Sequence, residues 1–493
     1  MTIRGAAATL RADRPICVRK TSGGREIRPD SNRRLRLALP ELASILTIAA
    51  GGALVAAAAA ESQSPADGEE FVVNTTTTGW QTEPAVVVGP QGEFAVVWTS
   101  SESAGTDTSY HSIQLQRFSP NGTPVGPEVQ VNNHTFLEQF DASTSIDGTG
   151  RMIVAWSSRS SPGPAIGGLS IQARRFAAEG EPLGGQFQVN TGTSGGQVGT
   201  TVSSDASGNF VVTWNSCYAC GGGSLLPKTA GSYLSHRAHA QLYDSTATPV
   251  GEQFRIDDDP IANSFSEDVA WRPSGGFLVV WGGDGDSSGD SDTWNARGQR
   301  YAPDGTPEGA AFQVNSYTTG AQGDASIAYT STDSFVVVWS SEGSDGDDQD
   351  ETSIQLRRFD DAGLPLGDEF QVNEFTSGAQ GSPDVAADGD GGFLVIWQSW
   401  GSFGSDDSGF SIQGRHFGAN GEPLGGQFQL NTFTTGPQTL PSVATDASGN
   451  FLVAWQSEGS DGDQTGIRAR FYLVIFNDGF ETRGTARWSS TTP

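Results

Sequence analysis

The sequence is dominated by a five-residue apolar motif that ends in tryptophan and occurs seven times. Its copies are Phe94–Trp98, Met152–Trp156, Phe210–Trp214, Phe277–Trp281, Phe335–Trp339, Phe393–Trp397 and Phe451–Trp455. Successive tryptophans are 58, 58, 67, 58, 58 and 58 residues apart. So regular a repeat indicates an array of similar units, and it constrains the architecture more strongly than the chain length does.

Each repeat contains four predicted strands separated by turns rich in Gly, Asp, Asn and Pro. The first is short and made of small residues, as in Pro84–Val87, and the second is the tryptophan motif. Both faces of the second strand are apolar, so we expect it to be buried on both sides. The third alternates polar and apolar residues, as in Ile113–Phe118, and the fourth ends in Phe-x-Val-Asn, as at Asn132.

One copy of the fourth-strand motif is out of place. Phe71–Asn74 precedes the first complete repeat, and the last repeat ends near Phe471 without such a motif. In a ring, an N-terminal strand can complete the last sheet, and closure removes exposed sheet edges. The sequence therefore predicts an all-β protein, a seven-bladed β-propeller of four-stranded blades over residues 68–476. An open β-solenoid is the alternative.

The strand order assigns the loops to two faces of such a ring. Connections from second to third strand and from fourth to the next first strand share one face, which we call the loop face. The short turns between the other strands lie on the opposite face, the turn face. We expect a binding site on the loop face, where the longer and more variable connections lie.

The first 60 residues differ in character from the repeats. They contain ten Arg or Lys and only four acidic residues, followed by an apolar run, Leu42–Ala60, that ends in three alanines. This pattern predicts a signal peptide over residues 1–60, a linker over 61–67 and a tail over 477–493. A membrane anchor is the alternative for the leader. No later run is long enough to span a bilayer, so we expect no membrane span after cleavage and a secreted or cell-envelope protein.

The charge balance limits the possible partners. The chain carries 28 Lys and Arg against 57 Asp and Glu, a formal net charge of −29. This charge argues against nucleic acid and anionic membranes as partners and is compatible with cations. The remaining candidates are extracellular protein and polysaccharide.

One resemblance supports export. The stretches Gly391–Ser399, Ser411–Gln413 and Gly425–Asn431 resemble a repeat common in exported bacterial proteins. That repeat carries D-G-x-F-V-V-x-W, then I-x-x-Q-R-F and G-x-x-F-x-V-N. The resemblance covers nearly all of residues 68–472 and implies an extracellular or envelope β-repeat module. It supplies no catalytic residues.

Acidic loops on the loop face are candidate calcium sites. Ser341–Asp347 and Ser457–Asp463 share one pattern, and Asp284–Asp292 is a denser variant. Closely spaced aspartates with Gly turns can offer several oxygen ligands to Ca²⁺. The candidate ligands are Asp284, Asp286, Asp345, Asp347, Asp461 and Asp463. In the alternative interpretation, these carboxylates bond to their own turns in solvated loops.

The long third repeat contains a Cys-x-x-Cys pair, Cys217 and Cys220, followed by His236 and His239. Outside the cell such a pair is expected to form a disulfide. The spacing of the four residues also approaches that of a zinc site, although the histidine gap is one residue short. A zinc site and a free or redox-active thiol pair therefore remain alternatives.

A glutamine recurs seven residues after the strand-ending Asn or Asp in six repeats, with Ser264 in the other. We interpret it as a structural residue bonded to a neighbouring blade, the alternative being a polar ring at the channel mouth. The sequence has no phosphate-binding loop and no His-Glu-x-x-His motif. We therefore expect a non-enzymatic binding or scaffold module. The alternatives are a propeller glycoside hydrolase or lyase with an axial pocket, and a calcium-stabilised surface repeat protein.

Overall fold

The chain forms a seven-bladed β-propeller. The computed structural model describes residues 68–159, 168–192, 195–217, 236–256, 263–284, 294–344 and 346–472. These residues form 28 strands in seven four-stranded antiparallel sheets, with no helix among them. The predicted leader, linker and C-terminal tail lie outside the described residues.

Blades 1 to 4 follow the chain in order. Blade 1 contains β2 (Gln81–Val88), β3 (Phe94–Ser100), β4 (Ser112–Phe118) and β5 (Val129–Gln130). Blade 2 contains β6 (Gln139–Ile146), β7 (Met152–Arg159), β8 (Leu169–Phe176) and β9 (Phe187–Gln188). Blade 3 contains β10 (Gly196–Ser204), β11 (Phe210–Cys217), β12 (His236–Tyr243) and β13 (Pro249–Arg255). Blade 4 contains β14 (Asn263–Trp271), β15 (Phe277–Asp284), β16 (Asn295–Tyr301) and β17 (Phe312–Gln313).

Blades 5 and 6 repeat this order, and blade 7 takes its outer strand from the N-terminal end. Blade 5 contains β18 (Gln322–Ser331), β19 (Ser334–Glu342), β20 (Thr352–Asp360) and β21 (Phe370–Gln371). Blade 6 contains β22 (Gln380–Ala387), β23 (Phe393–Trp400), β24 (Phe410–Phe417) and β25 (Phe428–Gln429). Blade 7 contains β26 (Gln438–Thr445), β27 (Phe451–Glu458), β28 (Thr465–Tyr472) and β1 (Glu70–Val72).

The closure predicted from the displaced motif is confirmed. Strand β1 pairs antiparallel with β28, and Glu70 lies opposite Arg470 in the register. Beyond the strand, the backbone N–H of Ile467 donates to Asn74 Oδ1 at 2.8 Å. The two ends of the repeat array therefore meet in one sheet, as a ring requires.

The hydrophobic core lies between the blades and not within them. On β3, Phe94, Val96 and Trp98 pack against blade 7, while Ala95 and Val97 pack against blade 2. Val96, Val97 and Trp98 have no exposed surface. The same arrangement recurs at each junction because every tryptophan motif is apolar on both faces.

Candidate functional site

The recurrent glutamine is a structural residue. In five blades its Oε1 accepts a hydrogen bond from the indole Nε1 of the tryptophan motif, at 2.9–3.3 Å. Its Nε2 donates to the connection that enters the same blade, as from Gln81 to the Thr78 carbonyl at 3.0 Å. The predicted structural role is confirmed, but the partner is the blade's own tryptophan and not the neighbouring blade. A fully buried indole N–H needs such an acceptor.

Three of the four described calcium candidates, Asp284, Asp461 and Asp463, accept hydrogen bonds within the protein. Asp461 Oδ2 accepts from Asn74 Nδ2 at 2.8 Å, and Asp463 Oδ2 accepts from the Gly79 N–H at 2.9 Å. Asp284 Oδ2 accepts from Asn263 Nδ2 at 2.7 Å, whereas Asp347 is exposed at the surface of its loop.

Two further calcium candidates, Asp286 and Asp345, lie outside the described residues. Within the described part of the chain, no group of three or more His, Cys, Asp and Glu side chains is arranged to hold a metal ion. Calcium binding therefore stays a prediction.

Cys217, His236 and His239 lie on two paired strands of blade 3. Cys217 is fully buried at the end of β11 and pairs in register with His236 on β12. The His239 ring stacks on Trp214 at 5.9 Å, and the His236 ring contacts Phe265 at 4.1 Å. The two histidines are three residues apart on one strand, so they face opposite sides of it. Cys220 lies outside the described residues, so the disulfide stays a prediction.

A second recurrent feature, absent from the sequence predictions, lies around the axis. Two residues after the glutamine position, the register of the inner strand shifts and a residue adopts positive φ. These residues are Glu83 (54°), Asp141 (55°), Gly199 (64°), Asp324 (51°), Ser382 (48°) and Leu440 (52°). Residues other than glycine rarely adopt this conformation, and such strain often marks functional sites. Three of the six side chains are carboxylates.

Two more carboxyl groups face each other deeper along the axis. Asp268 of blade 4 and Asp384 of blade 6 both contact the Ser326 hydroxyl of blade 5, at 3.1 Å and 2.9 Å. A hydroxyl group has one proton and can donate to only one of them. A second hydrogen bond forms only if one carboxyl group is protonated and donates to the Ser326 oxygen.

The environment favours that protonated state. Burial raises the pKa of both carboxyl groups, and the charge of Asp268 raises that of Asp384 further, to about 6. The opposing influence is backbone N–H donation from the next blade, from Ile327 to Asp268 at 3.0 Å and from Val443 to Asp384 at 2.8 Å. The pair can therefore hold a proton near pH 6 while linking consecutive blades.

The loop face contains all the strongly exposed aromatic side chains of the described residues. They are Trp80 (55% exposed), Tyr110 (66%), Phe136 (60%), Trp400 (55%) and Phe403 (53%). Trp400 and Phe403 lie in blade 6 and Tyr110 in blade 1. Trp80 lies on the connection from blade 7 to blade 1, and Phe136 on the connection from blade 1 to blade 2. We call this set the aromatic arc.

The backbone beneath the aromatic arc is held in place by hydrogen bonds. The Trp80 N–H donates to Ser101 Oγ at 2.7 Å, and the Trp400 N–H donates to the Ala379 carbonyl at 2.8 Å. The loop with Tyr110 is joined to the loop with Phe136 because Ser109 Oγ donates to the Thr135 carbonyl at 2.5 Å. The rings are therefore presented to solvent on a fixed framework.

Sequence reasoning missed both the arc and the axial carboxyl groups. The arc residues do not recur from repeat to repeat, so a search for periodic positions passes over them. The carboxyl groups lie two or four residues after the glutamine position, and that fixed offset was an available signal. Asp268 and Asp384 meet because the inner strands of consecutive blades lie side by side around a common axis.

Comparison with known proteins leaves the function open. No protein-family model matches the sequence, and no curated protein is similar to it in sequence. A protein of unknown function from Dyadobacter fermentans is 11% identical, with a TM-score of 0.47 over 82% of this chain and 97% of the other. The polysaccharide lyase Uly1 is 8% identical, with a TM-score of 0.46 over 79% and 89%. An α-L-arabinanase from Penicillium chrysogenum is 10% identical, with a TM-score of 0.40 over 67% and 92%.

These similarities are too low to carry an argument about function. Among the described residues there is also no helix of sufficient length and apolarity to cross a membrane.

Proposed function

We propose that the protein binds an uncharged polysaccharide along the aromatic arc of the loop face. The observation that carries this proposal is the concentration of five exposed aromatic rings on one face, on the loops of blades 6 and 1 and on the connections that enter blades 1 and 2. Exposed apolar patches mark interaction sites, and flat rings suit the C–H faces of sugar rings. Since the chain is strongly acidic, it repels polyanions, so the ligand class is neutral glycan.

The proposal includes an extracellular or cell-envelope location, supported by the predicted signal peptide. N-terminal sequencing of the protein recovered outside the cytoplasm is expected to begin near Glu61.

Affinity electrophoresis through gels containing neutral or uronate polysaccharides tests the binding. We expect a neutral polysaccharide to retard the wild type, and the double variant Trp80→Ala/Trp400→Ala to bind at least tenfold more weakly. The matched control is Leu364→Ala/Leu366→Ala, which removes exposed apolar side chains from the turn face. Wild-type migration unaffected by every neutral glycan, or equal retardation of both double variants, contradicts the proposal.

A second candidate function, glycan cleavage by a hydrolase or lyase, is favoured by the axial pair. Paired carboxyl groups of unequal protonation are the general requirement for glycoside hydrolysis, and the raised pKa of Asp384 suits a proton donor. The distance between Asp268 Oδ2 and Asp384 Oδ1 cannot exceed the sum of their distances to Ser326 Oγ, which are 3.1 Å and 2.9 Å. That limit is compatible with the short carboxyl separation of a retaining enzyme, about 5 Å.

Release of reducing ends or unsaturated sugars from the bound polysaccharide separates the two functions. If the protein is an enzyme, Asp384→Asn is expected to lower release at least a hundredfold while retardation in the gel persists. The control is Asp304→Asn, which removes an exposed carboxylate from the turn face. Binding without any wild-type product release eliminates the enzyme and leaves the binding function intact.

A further inference from the structure

Arginine side chains join neighbouring blades on the turn face. The arginine next to the end of the third strand reaches the turn between third and fourth strands of the following blade. Arg117 donates to the Ala178 and Glu179 carbonyls, and Arg175 to the Ser245 carbonyl. Arg300 donates to the Asp361 carbonyl at 2.7 Å, and Arg358 to the Ala419 carbonyl at 2.6 Å and to the Asn420 carbonyl. These bonds join blades 1 and 2, 2 and 3, 4 and 5, and 5 and 6, and we call each such arginine contact a staple.

The junction between blades 3 and 4 lacks this staple because Leu242 occupies the arginine position. Leu242 lies over Gly305 of the next blade as Arg117 lies over Gly180. A methyl group on Gly305 would meet Leu242 Cδ1 at 3.0 Å, and one on Gly180 would meet Arg117 Nη1 at 2.6 Å. A leucine has no donor to offer. The corresponding turn carbonyls, those of Pro303 and Asp304, accept no hydrogen bond from any described residue.

A second arginine that contributes to junction 2/3, Arg151, also has no basic equivalent at junction 3/4. In blade 2, Arg151 precedes the second strand and donates to the Ser207 carbonyl of blade 3 at 3.1 Å. Its equivalent in blade 3 is Asn209, whose Oδ1 instead accepts from the Ser245 N–H within its own blade. The two arginine side chains that fill junction 2/3, Arg151 and Arg175, are therefore replaced at junction 3/4 by the shorter side chains of Asn209 and Leu242.

A cleft of about 270 Å³ lies where those side chains would be. Its walls combine apolar and aromatic side chains of both blades with polar groups, and the lining residues are Asp205, Asn209, Leu242, Tyr243, Val250, Trp271, Gly275, Gly276 and Pro303. Trp271 is partly buried against the core between blades 3 and 4, at the edge of the cleft. Asp205 supplies a carboxylate, held by N–H donors of Ser207 and Asn209.

We propose that this cleft binds the guanidinium group of an arginine side chain presented by a partner protein. The guanidinium donates to the Pro303 and Asp304 carbonyls, as Arg358 does to Ala419 and Asn420. Its plane lies against Trp271, and its charge is balanced by Asp205. Arginine fits better than lysine because its planar fork reaches two consecutive carbonyls and stacks on an aromatic ring. The contacts of Arg358 thus give an example, within this chain, of a guanidinium group bound by the equivalent turn carbonyls.

The test uses the full-length protein and a blocked tripeptide with a central arginine, titrated by isothermal calorimetry. Matched peptides with lysine or citrulline in the centre vary charge and shape separately. We expect saturable binding of the arginine peptide at low salt, and at least tenfold weaker binding of the other two. Equal binding of the citrulline peptide, or no saturable binding of the arginine peptide, overturns the proposal.

Two variants localise the binding to the cleft. Leu242→Arg places a guanidinium where Arg117 and Arg175 lie in the other blades, so it is expected to weaken peptide binding at least tenfold. Because Leu242 is only 2% exposed in the core between blades 3 and 4, an unchanged circular dichroism spectrum is required of this variant as well. Trp271→Leu keeps an apolar side chain but removes the ring, and is expected to weaken binding severalfold with an unchanged circular dichroism spectrum. The control Leu366→Arg adds the same side chain to an exposed turn of blade 5. Binding that survives both cleft variants places the peptide elsewhere and contradicts the inference.

Discussion

At the scale of single residues, the repeated polar side chains satisfy buried backbone groups. The asparagine of the Phe-x-Val-Asn motif accepts the N–H of the third strand in six blades, at 2.8–3.0 Å. In four of them its amide donates to an aspartate of the neighbouring loop, at 2.6–2.8 Å. A buried N–H left without a partner costs about 1–3 kcal/mol, which explains the persistence of the motif. One loop aspartate with a predicted calcium role, Asp461, belongs to this network.

The raised pKa of Asp384 makes the free energy of unfolding depend on pH in a predictable direction. Its pKa is raised from 3.8 to about 6, so the folded protein binds this proton more tightly than the unfolded chain does. The corresponding stability is fully present below pH 3.8 and is lost as the pH rises through about 6. We expect the free energy of unfolding of the wild type, relative to Asp384→Asn, to fall across this interval.

Denaturant titrations of both proteins at several pH values measure that difference. Asp304→Asn is the control, since hydrogen bonds from Thr306 lower the pKa of Asp304 and reverse the sign of its contribution. A wild-type-minus-Asp384→Asn difference that does not vary with pH shows that Asp384 titrates normally.

At the scale of strands, sequence and structure agree because burial and alternation follow local rules. The double-sided apolar pattern of Phe94–Trp98 predicts a strand packed between two blades, and the displaced Phe71–Asn74 predicts its pairing with the last blade. What the sequence could not supply is contact between side chains of different blades. The Asp268–Ser326–Asp384 contact spans three blades, and the cleft beside Leu242 lies at a junction without the arginine that joins the blades at the two junctions next to it.

Strand β1, which closes the ring, has one face packed in the core and one face exposed to solvent. The Phe71 ring packs against Phe118 at 5.7 Å, and against Phe94 and Phe471 at 6.4 Å. Its neighbour Val72 is 38% exposed on the other face of β1. We expect Phe71→Ala to lower the free energy of unfolding by about 2–3 kcal/mol, since it leaves a cavity at the closure. Val72→Ala is expected to cost less than about 1 kcal/mol. Equal effects in urea denaturation contradict closure through this face.

At the scale of the whole molecule, the two faces of the ring have different surfaces. Exposed aromatic side chains lie on the loop face, whereas the turn face carries most of the exposed aliphatic ones: Val125, Leu183, Val250, Leu364, Leu366 and Leu424. The acidic charge keeps such a molecule soluble, at the cost of repulsion within the folded ring. The polysaccharide proposal and the arginine proposal use opposite faces, so the two partners can bind at the same time.

The charge of −29 predicts how salt affects stability, and the same measurement tests the calcium prediction. Salt screens repulsion between exposed carboxylates within a Debye length of about 10 Å at 0.1 M, so we expect the melting temperature to rise with sodium chloride.

A site that binds Ca²⁺ in the folded state adds a further rise in melting temperature that depends on the calcium concentration. If the calcium prediction for these loops is right, calcium chloride is expected to give a larger rise than magnesium chloride at matched ionic strength, although Asp284, Asp461 and Asp463 also accept hydrogen bonds within the protein. An excess rise with calcium, reversed by chelation and lost in Asp461→Asn, establishes a calcium site in these loops. Equal rises leave screening of the acidic surface as the sufficient explanation.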